Sequence, residues 1–289
     1  MSERRGAGLF PLGALRIGPA RRDHQRRLAA ACLNLTSCTD MKFLFKILKY
    51  LLSAVALVLL VYVGVSAFPE PMFAHHIVYK NFDIWSDKPI PLQINQVLDD
   101  VSRRLDKSDL QDKNARYKIF FCNASWRLWL YGQHFSDQVG ADADTLLTRN
   151  IYVRASDIGA NRLIAPGGGA LADAARRPLS YFIAHEAAHI IVARQFGRLV
   201  SIRYPLWLME GYADYVGKGN DFDFDDNYRL FRMKSPTMDF PQSGLYRGFH
   251  LRLAVLLDKS GMTARQIFDH PPSEETMNEL FENYAASRK

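Results

Sequence analysis

Beyond residue 49 the sequence has no charge bias. Of 37 Lys/Arg and 30 Asp/Glu, residues 1–49 hold ten and three, which leaves 27 of each sign in the rest. The formal net charge of +7 therefore belongs wholly to the N-terminal stretch. A body without excess positive charge lacks the electrostatic footprint of a polyanion binder, so nucleic acid is not an expected partner. Cysteine is also scarce. Cys32 and Cys38 precede a long apolar run and Cys122 alone follows it, so the larger part of the chain cannot form an internal disulfide. No further Cys or His completes a metal set around Cys32 and Cys38. Internal repeats are absent, and the composition has no disordered or fibrous signature. The triple glycine at Gly167–Gly169 is not a phosphate loop: no strand leads into it and no Gly-Lys-Ser/Thr follows.

What is present begins with "YLLSAVALVLLVYVGVSAF" from Tyr50 to Phe68, which carries no charge. At about 1.5 Å per residue this length matches a hydrocarbon core of about 30 Å. Lys42, Lys46 and Lys49 stand before it, which keeps the N-terminus cytoplasmic and places residues after about 70 outside. Two fates are open: an uncleaved anchor, or a signal removed after "VSA" at Val65–Ala67, which would release a secreted domain. Met41 opens "MKFLFKILKY" and is an alternative start. The expected division is an N-terminal basic segment over 1–42, a transmembrane anchor or signal over 43–68, and one domain over 69–289.

Within that domain, "FPEPMFAHH" and "SDKPIPLQ" read as extended, Pro-punctuated chain, with His75 and His76 solvent-facing. Ile94, Val97, Leu98, Val101 and Leu105 form one stripe of a helix from about Leu92 to Leu105. "RYKIFFCN" (116–123) and "RNIYVRASD" (149–157) read as strands. Helices follow: one from Pro178 to a stop at Gly197, one opening at Pro205 and ending at Gly217 or Gly219, and one from about Gly244 to Lys259. "TARQ" at 263–266 is a capping box for a fourth, and Ser273 caps a last one. Strands first and helices after predicts an α+β fold.

The chemistry sits in "SYFIAHEAAHIIVAR" (180–194). On a helix His185 and His189 lie about 40° apart and one turn apart, so both imidazoles can face one point. Glu186 lies at the edge of that face. This is H-E-x-x-H, in which two imidazoles hold zinc and the carboxylate acts on water. Phe182, Ile183, Ile190, Ile191 and Val192 make the helix apolar on nearly every side, so it is expected to be buried. Buried without partners, the three polar groups would cost several kcal/mol, which a divalent cation offsets. A catalytic zinc needs a third protein ligand and an open position. Glu210 in "WLMEGYADY" is the candidate, 21 residues past His189 and brought back by the turn between Gly197 and Pro205. Asp214, one turn further on, is expected to accept the outer N–H of a ligating histidine. Trp207, Leu208 and Tyr215 are expected in the core.

"HEAAH" followed by "WLMEGYADY" resembles the gluzincin metallopeptidases, a group that includes thermolysin-like and aminopeptidase-like enzymes and peptidase-MA-like domains. The resemblance covers about residues 178–218, with a weaker echo to about 258. It implies a zincin-like domain, a small sheet with an edge strand plus a helical zinc-binding subdomain, behind the N-terminal transmembrane helix. It also implies His185, His189 and Glu210 as zinc ligands, Glu186 as general base, and a peptide or protein as substrate. Asp214 is similar to the carboxylate that supports a ligand in thermolysin-like members. In such folds an edge strand before the zinc helix lines the cleft, a place "NIYVRAS" is suited to fill. The GAMEN motif of the aminopeptidases is absent, so aminopeptidase specificity is not implied. The oxyanion donor has no fixed motif; Tyr246 and His250, one turn apart in "LYRGFHLRL", are the candidates. The implied function is a membrane-anchored zinc metallopeptidase. The alternative is a membrane-tethered module of the same fold that binds and cleaves nothing.

Overall fold

The computed structural model describes residues 19–132 and 138–287. Residues 1–18 of the expected basic segment lie outside the described residues. Helix α1 runs Pro19–Ala67. No proline or glycine interrupts the sequence between Pro19 and Gly64, so nothing local stops the helix earlier. Pro69 then disfavours helical backbone at Phe68. The part from Met41 to Ala67, 27 residues of mean hydropathy 2.3, is long and apolar enough to cross a membrane, and none of its most apolar window is buried. The chain divides into two compact units at Val63/Gly64.

The second unit is α+β. Strands β1 (His75–Tyr79), β2 (Phe82–Ser86), β3 (Tyr117–Cys122), β4 (Ala141–Ala143) and β5 (Asn150–Arg154) form one sheet in the order β1-β2-β3-β5-β4. β2, β3 and β5 are parallel, while β1 and β4 are antiparallel edges. A second hairpin pairs β6 (Ser156–Asp157) with β7 (Arg162–Leu163). Helix α2 (Ile94–Leu105) covers one face of the sheet, its Ile94, Val97, Leu98, Val101 and Leu105 stripe buried in a core with Ile84, Ile119, Phe121, Ile151 and Val153. The other face is covered by α3 (Ser125–Tyr131), where Phe73, Phe120, Leu128, Tyr131 and Tyr152 form a separate aromatic cluster.

This arrangement corrects one expectation. Asn150–Arg154 is not the edge strand: β5 lies between β3 and β4, buried on both faces, and the edge is the three-residue β4. A strand covered on both sides is largely apolar, and "IYV" at 151–153 satisfies that condition as well as it does alternation. The β1–β2 hairpin also replaces part of the expected extended chain. Its two-residue turn is Lys80–Asn81, with Lys80 at φ 51°. His76 bonds Asp83 at 2.5 Å and stacks on Trp85, so it is exposed but partnered.

After a short α4 (Ala170–Ala174), α5 spans Leu179–Phe196, entered by Pro178 and closed by Gly197 at φ 99°. α6 (Val200–Arg203) turns the chain into α7, Leu206–Lys218, entered by Pro205 and closed by Gly219. α8 (Phe224–Arg232), unforeseen in the sequence, is capped by Asp223. The short α9 (Phe240–Ser243) leads into α10 (Arg247–Ala254), continued as a wider π turn to Lys259. α11 (Ala264–Asp269) has the Thr263/Gln266 capping box, and α12 covers Glu274–Ser287 with Ser273 accepting from Thr276 N–H.

Candidate metal centre

Helix α7 is held between α5 and α10, and two glycines allow both contacts. A Cβ on Gly217 would stand 3.2 Å from His185 Cβ and from the Tyr181 ring. A Cβ on Gly211 would stand 2.8 Å from the Phe249 carbonyl oxygen and from Leu253 Cδ2 on α10. Gly211 directly follows Glu210, so close backbone approach explains the glycine in "MEG". Gly211→Ala is expected to push α10 away and cost about 1–3 kcal/mol, as overpacking does. An unchanged thermal midpoint in that variant would show that α10 does not need this contact.

At the open end of the α5–α7 interface the expected trio converges. His185 Nε2 lies 3.2 Å from Glu210 Oε2, and His189 Nε2 lies 3.6 Å from Glu210 Oε1. One ligand atom from each residue falls within 4.8 Å of the others, so the group can hold a metal ion. Around a tetrahedral ion with bonds of about 2.0–2.1 Å, ligand atoms stand about 3.4 Å apart. The two separations run to different oxygens of Glu210 and are each close to that value, and two imidazole nitrogens with a carboxylate suit a transition metal. Burial by itself would raise the Glu210 pKa, but His189 and His185 outweigh it and hold the carboxyl well below its usual range. Burial disfavours a charged His189, yet Glu210, then Glu186, raise its pKa to about 9. Without a cation His189 and Glu210 therefore favour an ion pair, and a metal held there would take the place of the proton.

The trio opens on a cavity of about 260 Å³ bounded by β4, α5, Glu210 and Tyr246. Glu186 lines it at 8% exposure. Burial raises its pKa to about 7, against the opposing pull of His185 and His189. Asp142 on β4 adds a further carboxylate to the cavity wall.

The other expected residues separate. Tyr246 precedes α10, lines the cavity, and lays its ring on His185 with centroids 5.5 Å apart. Burial, then Glu210 and Glu186, push its phenol well up. His250 does not reach the cavity. It is 1% exposed, stacked on Phe222 at 3.6 Å, with Nδ1 3.0 Å from Asp214. One turn of α10 separates the two side chains, and the turn of backbone between them points His250 into the core.

Asp214 also departs from expectation. Its oxygens accept from Tyr181 Oη at 2.5 Å, Arg177 Nη1 at 3.3 Å, Lys218 Nζ at 2.6 Å and His250 Nδ1 at 3.0 Å. Neither His185 nor His189 is among these partners, and His185 Nδ1 is buried with no partner among the described residues. The carboxylate turns to a cluster of cations instead, and meets the metal group only through Tyr181, whose ring lies 5.8 Å from that of His185. Burial raises the Asp214 pKa, but Lys218, His250 and Arg177 hold it well below the usual range. Burial of His250, only partly countered by Asp214, lowers its pKa to about 4.

Four residues of this constellation were not singled out by sequence: Tyr181, Lys218, Arg177 and Asp142. The first two carried a signal, since Tyr181 is one turn before His185 and Lys218 one turn after Asp214. Arg177 lies before α5 and Asp142 on a three-residue strand, where no periodicity marks them. No protein-family model, no curated protein and no solved structure matches the chain, so its site stands on the chemistry of its own side chains.

Proposed function

We propose that the protein is a membrane-tethered, zinc-dependent peptidase whose zincin-like domain, residues 69–289, lies outside the cytoplasm. The observation that carries this reading is the convergence of His185, His189 and Glu210 at one cavity that also holds the buried carboxylate of Glu186. The three would hold the metal, which supplies, when bound, a Lewis acid that polarises a carbonyl and acidifies water. Glu186 takes a proton from water in the cavity and passes it to the departing amine. Tyr246 donates its phenolic hydrogen toward the oxygen on which negative charge develops, a contribution of about 3 kcal/mol from comparable donors. Asp214 acts at a distance by fixing Tyr181 beside His185. β4, a half-buried outer strand of the sheet, offers its unpaired side to an extended peptide, the pairing by which strands are added to sheets. The apolar helix Met41–Ala67 serves as the tether.

A non-catalytic binding module of the same fold is the second reading. It is favoured by His185, whose outer nitrogen lacks the acceptor that tunes histidines in catalytic sites. The deciding measurement is metal content of the purified full chain together with cleavage of a mixed peptide library, with and without chelator. The peptidase is expected to carry about one zinc and to lose cleavage on chelation, and His189→Ala to lose both. Stoichiometric zinc in His189→Ala would refute the ligand set. Metal binding with no chelator-sensitive cleavage would favour the module, and iron in place of zinc would redirect the chemistry, since two histidines and a carboxylate also suit iron.

A further inference from the structure

Where α5 ends, three arginines meet with no acid paired to them. Arg149 closes the turn between β4 and β5 in the left-handed region, φ 63°, and its Nη2 lies 3.5 Å from the Ala193 carbonyl oxygen in the last turn of α5. Arg194 is the next residue of that helix. Its guanidinium lies over the Tyr117 ring at 4.8 Å, and its Nη2 donates to the Arg116 carbonyl. Arg198 reaches the other way, from just past Gly197, and donates through Nη1 to the carbonyls of Leu146, at 2.7 Å, and Leu147 in the β4–β5 turn. Arg198 and Arg194 are close enough to act on Arg149 as like charges. Among the described residues none of the three is paired with a carboxylate. Asp144, the acid closest to Arg149 in sequence, is engaged in its own turn by the N–H groups of Leu146, Leu147 and Thr148. Arg149 Nε and Arg194 Nη1 are buried with no hydrogen-bond acceptor among the described residues.

We propose that Arg149, Arg194 and Arg198 form a binding site for a dianionic phosphate group, either the free ion or a phosphomonoester on a lipid headgroup. A cluster that only capped α5 would be poorly matched in charge, because a helix end offers about half an elementary charge against three full positive ones. Buried N–H groups without an acceptor are rare in native folds and point to a partner that brings one. A phosphate group carries about −1.5 to −2 charges near neutral pH and several acceptor oxygens, so one such group balances most of the excess, where a carboxylate balances a third of it. Guanidinium forks suit those oxygens in pairs. Exposed Leu146, Leu147 and Leu199 border the arginines, an apolar margin that fits the lipid source as well as the free ion. Bound there, the anion ties the β4–β5 turn to the end of α5. Thr145 of that turn lines the metal cavity, and its Oγ1 lies 3.3 Å from the Oγ of Ser201, which lines it too. The clamp therefore braces one border of the cavity from outside it.

The test uses the full chain in an uncharged detergent at neutral pH and constant ionic strength, with chloride as the reference anion. Calorimetric titration with inorganic phosphate is expected to saturate at one site, and Arg194→Gln to weaken that binding by about tenfold or more, the loss of one charge-assisted contact. In a second arm phosphatidic acid is added to the micelles and compared with phosphatidylcholine, the readout being the thermal midpoint. Saturable binding of inorganic phosphate assigns the site to the free ion. A raised midpoint with phosphatidic acid alone, in wild type and not in Arg194→Gln, assigns it to a lipid headgroup. No response to either probe, or an equal response in wild type and variant, overturns the site. Should Arg194→Gln fail to fold, Arg198→Gln, at an exposed position, makes the same comparison. None of the three arginines lines the metal cavity, so failure here leaves the peptidase reading standing, and loss of the peptidase reading leaves this site standing.

Discussion

Glu186→Gln is expected to lower kcat by about 10²–10⁴-fold, the usual contribution of a general base, while metal content stays the same. The amide has nearly the volume of the carboxylate, so the cavity wall keeps its shape, and the trio of His185, His189 and Glu210 is untouched. An amide cannot accept and return a proton, however, which is the whole of the role assigned to this residue. Stability should move in the opposite direction. Burial is the largest influence on the Glu186 pKa and raises it, so the charged form is held at a cost that a neutral amide avoids. The thermal midpoint is therefore expected to stay level or rise, a trade of stability against activity seen at functional sites. Metal analysis, turnover on a cleaved peptide and a melting curve check the three parts. Full turnover in Glu186→Gln would refute the base assignment. Loss of metal along with turnover would make Glu186 a ligand.

The frame of this site was legible because helical geometry is local. H-E-x-x-H fixes two side chains on one face whatever the rest of the chain does, and proline–glycine punctuation at Pro178, Gly197, Pro205 and Gly219 gave both helices their ends. Glu210 followed from the same punctuation, since a short return must bring the two helices side by side. The parts that were not legible depend on long-range packing. Whether β5 is an edge or an interior strand is decided by β4, which is three residues long and leaves no periodic trace. Tyr246 and His250 share helical spacing in the sequence. In the fold, Gly244 at φ 64° ends α9, and α10 starts only at Arg247, so Tyr246 sits at the rim and His250 inside. The sequence points Asp214 at a histidine because it lies one turn past Glu210 on the same helical face. Lys218 and Arg177 compete for it with full positive charge, and a full charge holds a buried carboxylate more strongly than a neutral ring N–H does.

Asp214→Ala is accordingly expected to destabilise the domain by about 3–5 kcal/mol. The size comes from what remains. Asp214 is 0% exposed, and its removal leaves the Lys218 ammonium, 9% exposed, without its ion-pair partner and the Arg177 guanidinium with only Tyr181. Against a total stability of about 5–15 kcal/mol, that loss brings the domain near its unfolding threshold. The pH dependence separates the electrostatic cause from simple loss of packing. In the wild type, Asp214 has a folded pKa below its unfolded value of 3.8, so its stabilisation is present above that pH and is lost as pH falls through the folded value. His250, lowered from 6.5 to about 4, stays neutral in the fold, so its share is lost earlier, as pH falls from about 6.5 to about 4. In Asp214→Ala the lysine dominates instead. Burial already lowers the Lys218 pKa, with Asp214 as the main opposing influence, so removing Asp214 lowers it further. The unfolded chain then holds more protons than the folded one up to about pH 10.5, and stability rises with pH. The gap between variant and wild type should therefore narrow between neutral pH and pH 10. A gap that stays constant over that range would mean that Asp214 contributes by shape, and that the four donors around it do not depend on its charge.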